Sequence, residues 1–89
     1  MTRRLIWSPR AQKDIASLHP TTAQRIRHAL RRYAETGHAD IRRLANITPP
    51  TWRIRIGHHQ VILQLRNNPD EALIIRIKPR DSAYRAPPP

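Results

Sequence analysis

The sequence predicts an α+β fold of order β-α-α-β-β-β, an antiparallel sheet with a helix hairpin packed on one face. Three observations predict it. Apolar residues recur at helical spacing in two stretches of the N-terminal half. They alternate with polar residues in short runs of the C-terminal half. Between those runs stand turn formers, at intervals too short for a crossover helix, so consecutive strands should be antiparallel neighbours.

The elements follow in order. Arg4-Leu5-Ile6-Trp7 is a short β-prone run that joins the sheet from the far side of the hairpin. Ser8-Pro9 reads as an N-cap and a first helical residue, because serine accepts an orphan amide and proline has the helical φ already set. Ala11, Ile15 and Leu18 then repeat at helical spacing, which predicts a helix over 9–18. His19-Pro20 breaks it, and Thr21 or Thr22 is placed to cap the second helix. Ile26, Ala29, Leu30 and Tyr33 form one stripe of that helix, and Gly37 suits its C′ position.

Trp52, Ile54 and Ile56 share one side of a strand, and Arg53 and Arg55 share the other. Gly57-His58-His59 connects to a strand in which Val61, Leu63 and Leu65 point one way and Ile62 and Gln64 the other. Asn67-Asn68-Pro69-Asp70 is dense in turn formers. In the last strand Leu73, Ile75 and Ile77 are expected to face the core, with Ile74, Arg76 and Lys78 opposite. Eighty-nine residues suit one domain, over 1–86, with a modest core. The prolines at 87–89 are expected to form a disordered tail.

Composition narrows the function. Lys+Arg number 17 against 6 Asp+Glu, a net charge of +11 and a pI near 11.8. All the basic residues except Lys13 and Lys78 are arginine. Arginine grips phosphate with a planar fork and stacks on bases, which lysine cannot do. A sheet that is apolar on one side and cationic on the other suits a polyanion, so nucleic acid is the first partner to consider. An acidic protein partner would relieve the self-repulsion of so much positive charge.

Other classes are disfavoured. The sequence has no cysteine, so disulfides and thiolate metal sites are excluded. Asp14, Glu35, Asp40, Asp70, Glu71 and Asp81 are scattered, against a two-carboxylate or metal-dependent nuclease, and His19, His28 and His38 lack ligand spacing. There is no glycine-rich phosphate loop. The expectation is no metal and no cofactor. No apolar run reaches membrane-spanning length, so no membrane partner and a cytoplasmic location are expected.

The ordered set of motifs resembles the RelE/ParE superfamily of bacterial toxin–antitoxin toxins over nearly the whole chain. The resemblance begins at Ile6-Trp7-Ser8-Pro9-Arg10-Ala11 and continues through Arg31-Arg32-Tyr33-Ala34-Glu35-Thr36-Gly37 and Arg42-Arg43-Leu44. It is strongest in Trp52-Arg53-Ile54-Arg55-Ile56-Gly57 and Ile77-Lys78-Pro79-Arg80-Asp81-Ser82-Ala83-Tyr84-Arg85. It implies a type II toxin neutralised by a cognate acidic antitoxin. RelE-type members enter the ribosomal A site and cleave bound mRNA without a metal. ParE-type members share the fold and poison DNA gyrase.

The resemblance also implies a site. Arg53 and Arg55 fall where RelE-type toxins carry a pair of basic strand residues. They would clamp phosphate and would not act as bases, since arginine hardly deprotonates. The same pair would also serve as a merely solvated face. Lys78 matches the position of a catalytic arginine, and Arg80 matches another basic position. Tyr84 matches a near-terminal tyrosine that stacks on or orients the nucleotide, or else anchors the tail. Arg76, Arg85, His58, His59 and Gln60 complete the nucleic-acid-binding set. Gln60 departs from the pattern, for the superfamily commonly has arginine there. Two readings therefore stay open: an mRNA endonuclease with the ribosome and mRNA as partners, and a gyrase-binding toxin without nuclease activity. A noncatalytic RNA-binding protein rests on charge alone.

Overall fold

The computed structural model describes residues 2–79. In chain order these form β1 (Arg4–Trp7), α1 (Pro9–Ala16), α2 (Pro20–Thr36), β2 (Asp40–Arg43), β3 (Trp52–Ile56), β4 (His59–Arg66) and β5 (Glu71–Pro79). The strands make one sheet in the order β1-β5-β4-β3-β2. Ala11 and Ile15 of α1 and Ala23, Ile26, Leu30 and Tyr33 of α2 pack with Ile54, Val61, Leu63, Ala72, Ile74 and Ile77 in one buried cluster. Both helices therefore cover the same face, as expected.

Both helices open on a proline at the first helical position. Ser8 caps α1, its Oγ accepting the Ala11 amide at 3.0 Å. For α2 the cap is His19, two or three residues earlier than the expected threonines. Its Nδ1 accepts the Thr21 amide at 3.2 Å. The physical reason is Pro20: a proline at the first helical position leaves the cap to the residue before it. Helix α1 ends at Ala16 rather than near Leu18, because the Ser17 amide and hydroxyl both turn back onto the last carbonyls. Gly37 closes α2 at φ +80°, its amide donating to the Tyr33 carbonyl at 2.8 Å.

Four strand features depart from expectation, three of them in extent and pairing. First, β2 is an additional strand, antiparallel to β3 with Asp40 opposite Arg55 and Arg43 opposite Trp52. Its one apolar residue, Ile41, gives too little alternation to read. Second, β4 begins at His59, which pairs with Ile56, so only Gly57 and His58 form the turn. Gly57 takes φ +59°, a left-handed conformation that favours glycine. Third, β1 lies parallel to β5, so the sheet is antiparallel only from β5 through β2.

The last strand carries the largest correction. Ala72 and Ile74 are fully buried, whereas Leu73 and Ile75 are only partly so. Pairing shows why. Leu63 stands opposite Ile74 while its neighbour Ile62 stands opposite Arg76, so Ile75 is an extra, bulged residue. The bulge reverses the phase. Before it, even-numbered residues face the core. After it Ile77 does, and Arg76 and Lys78 turn to the opposite face, as expected for those three.

Candidate nucleic-acid interface

Residues directly opposite each other in a sheet share a face, so the register assembles the site. One row crosses four strands as Asp40, Arg55, Gln60 and Lys78. The next row is Arg42, Arg53, Ile62 and Arg76. Both lie on the face away from the helices. At ordinary strand spacing the Cα atoms of Arg55 and Lys78 stand about 10 Å apart, and the two rows about 7 Å apart. Side chains as long as arginine and lysine span those gaps around a phosphate.

Four of the five cations in these rows differ in what holds them. Arg53 is buried, and its Nη1 donates to the Asp40 carbonyl at 3.3 Å and lies 3.6 Å from Asp40 Oδ1. Asp40 thus anchors Arg53 from β2, and the sequence hid this because β2 did not read as a strand. Arg55 is half-buried, and its Nε is buried with no hydrogen-bond partner among the described residues. An unpaired buried N–H is costly to the free protein and is satisfied by an incoming acceptor. Lys78 is half-buried and makes no ion pair among the described residues. Arg76 is committed through Nε to Asp14 Oδ2 at 3.0 Å.

Asp14, one of the scattered acids, links α1 to β5. Its Oδ2 also accepts the Ile77 amide at 2.9 Å, and Arg10 Nε lies 3.8 Å from its Oδ1. Partial burial pulls its carboxyl pKa up. The Ile77 amide, the Arg76 hydrogen bond and the charges of Arg76 and Arg10 outweigh that and hold it below the ordinary aspartate value. Nothing in the sequence marks this contact, since the partners lie more than sixty residues apart.

The remaining expected site residues divide. Gln60 sits in the row between Arg55 and Lys78. His59, opposite Ile56, falls on the other face, and His58 is exposed in the turn. Arg25 of α2 also reaches this turn, for a Cβ on Gly57 would come within 3.5 Å of its Nη1. Arg80, Tyr84 and Arg85 lie outside the described residues. Beside α2, where the start of β2 meets the end of β3, a cleft of about 450 Å³ is lined by residues including His28, Arg32, His38, Asp40 and Arg55. Arg32 and Arg55 bring positive charge to this cleft, offset in part by Asp40.

The architecture is that of the RelE toxins. It superposes on RelE of the archaeal RelE–RelB complex from Pyrococcus horikoshii with a TM-score of 0.76 and 21% identity, over 92% of this chain and 99% of that one. The toxin–antitoxin complex RelBE2 from Mycobacterium tuberculosis gives 0.79 at 15% identity, over 90% and 100%. A double mutant of E. coli RelE in the free state gives 0.74 at 17% identity, over 93% and 87%. Residues 5–84 match the family described as ParE toxin of type II toxin–antitoxin system, parDE, and the chain belongs to that family. It is thus a toxin of the RelE/ParE superfamily of type II toxin–antitoxin modules. A comparison with curated proteins finds no match. Among the described residues no helix is long and apolar enough to cross a membrane.

Proposed function

We propose that this toxin is a ribosome-dependent mRNA endonuclease of RelE type, held silent by an acidic antitoxin. The observation that carries the reading is the register that sets Arg53, Arg55 and Lys78 on one face in adjacent rows. In the reaction the 2′-hydroxyl of the RNA attacks the adjacent phosphorus. The bond to the 5′-oxygen breaks, and that oxygen leaves with a proton. Negative charge grows on the phosphate oxygens as the bonds exchange. Fixed donors aimed at such charge usually supply the largest part of the acceleration. Arg55 Nε, with no partner to surrender among the described residues, and Lys78 would meet it from two sides. Arg53, pinned by Asp40, would shape the pocket from beneath. Arg80 and Tyr84 are expected from the resemblance to add a second cation and a stacking ring. Alignment of the message by the ribosome would provide the in-line geometry.

An antitoxin partner is supported by the similar toxins from Pyrococcus horikoshii and Mycobacterium tuberculosis, both solved as complexes with antitoxins. The net charge of +11 makes an acidic partner the complementary one.

A second reading is a ParE-type toxin that inhibits DNA gyrase by binding. It is favoured by the family match over residues 5–84 and by neutral Gln60 in the middle of the cationic row. In vitro translation of a defined message, followed by primer extension, separates the two. New 5′ ends confined to translated message support the nuclease. Intact message with accumulating gyrase–DNA cleavage complexes supports the second reading.

A further inference from the structure

We propose that Asp14 is a positioning residue, holding the β5 bulge so that Lys78 is presented on the cationic face. The inference rests on the proposed role of Lys78 for its catalytic meaning, but its structural half stands separately.

The side on which Lys78 emerges depends on strand phase. Ala72 and Ile74 face the core, so an unbroken strand would send Arg76 and Lys78 to the core side as well. It would leave Ile77 on the cationic face. The extra residue Ile75 reverses this, placing Lys78 opposite Gln60 and Arg76 opposite Ile62. A bulge interrupts the ladder and needs support from outside it. On the side of β5 away from β4, β1 reaches only to Ile74. Beyond that point α1 and its cap take the place of a strand. The Ser8 amide donates to the Ile74 carbonyl at 2.9 Å, and the Ser8 hydroxyl donates to the Ile75 carbonyl at 2.8 Å. Asp14 accepts the Ile77 amide and Arg76 Nε on one carboxylate oxygen, just past the bulge. Ser8 thus secures the strand before and at the extra residue, and Asp14 secures it after. Among the described residues, Asp14 alone grips both the backbone and a side chain on the reversed phase.

The test uses the full chain as wild type, Asp14→Ala, and Asp14→Ala with Ile75 deleted. The deletion removes the extra residue, so Ile74, Arg76, Ile77 and Lys78 can follow their present partners with no bulge to hold. Two readouts report placement without reference to cleavage. One is amide exchange at Ile77. The other is modification of Lys78 by an amine-reactive reagent, referenced to the N-terminal amine. In Asp14→Ala, Ile77 exchange should speed by about 10- to 100-fold, matching the loss of a hydrogen bond to a charged group. Modification of Lys78 should fall, and cleavage of translated message should fall with it. Deletion of Ile75 should restore both. Lys78 modified equally in wild type and Asp14→Ala would overturn the inference. If Asp14→Ala does not fold, the double variant decides: regained fold and Lys78 modification support the inference, and their absence overturns it. If wild type cleaves no message while Lys78 modification follows the expected pattern, the nuclease reading fails and the positioning role stands.

Discussion

Replacing Arg55 by methionine should separate stability from activity. Methionine keeps most of the aliphatic stem and removes the guanidinium. In the free protein that change breaks no side-chain hydrogen bond among the described residues, and it removes a buried Nε that has no partner among them. Leaving such a group unpaired costs about 1–3 kcal/mol, so the variant should be at least as stable as wild type. For a chain of 89 residues, 1 kcal/mol corresponds to about 4–8 °C in Tm. Cleavage should move the other way. Loss of one donor to the developing charge costs about 10²–10³ in rate. Thermal denaturation and timed primer extension on translated message, run on the same preparations, give both numbers. A Tm several degrees below wild type would show that the guanidinium holds the fold together. Cleavage at the wild-type rate would remove Arg55 from the site. Either result refutes the reasoning.

Arg53→Met should behave oppositely, losing about 1–3 kcal/mol, because it takes a donor away from the Asp40 carbonyl and leaves buried space around a neutral stem; urea denaturation checks this. Gln60→Arg would restore the arginine common in the superfamily, between Arg55 and Lys78. It should raise cleavage by about tenfold under the nuclease reading and cost about 0.2–1 kcal/mol from like charges set directly opposite, measured by single-turnover cleavage and Tm. Asp14, whose carboxyl pKa is depressed in the fold, stabilises the protein at every pH above the unfolded value near 3.8. That contribution is lost as pH falls through the lower, folded value. Wild type should therefore exceed Asp14→Asn in Tm at neutral pH, with the gap closing below about pH 4; an unchanged gap at low pH would exclude the ion pair as its source.

Much of the fold was legible because its signals are local. The alternation in β3 and β4 placed Arg53 and Arg55 opposite Ile54 and Ile56, and Gly37 marked the end of α2. The failures have definite causes. Leu73-Ile74-Ile75 is a run of three aliphatic residues that fits either phase, so the bulge left no trace in the pattern. Even so, the expected sides of Arg76, Ile77 and Lys78 were right, since the bulge restores the assumed phase just beyond itself. β2 went unseen because Asp40-Ile41-Arg42-Arg43 is polar at three of four positions and becomes a strand only by pairing with β3. The supports of the site, Asp40 for Arg53 and Asp14 for Arg76, are tertiary contacts between separate elements. Sequence could name the cations that line a surface, but not the carboxylates that hold two of them.

Cleavage at a shared cationic face is tested most directly by Lys78→Ala. Wild-type protein and this variant, each added to a translating ribosome extract with one labelled message, should differ in the appearance of cut ends. Wild type should generate discrete new ends within translated codons and none on message kept from ribosomes, while the variant, still folded by circular dichroism, should generate few or none. Equal cutting by both proteins, or no cutting by wild type while gyrase is trapped on DNA, would contradict it.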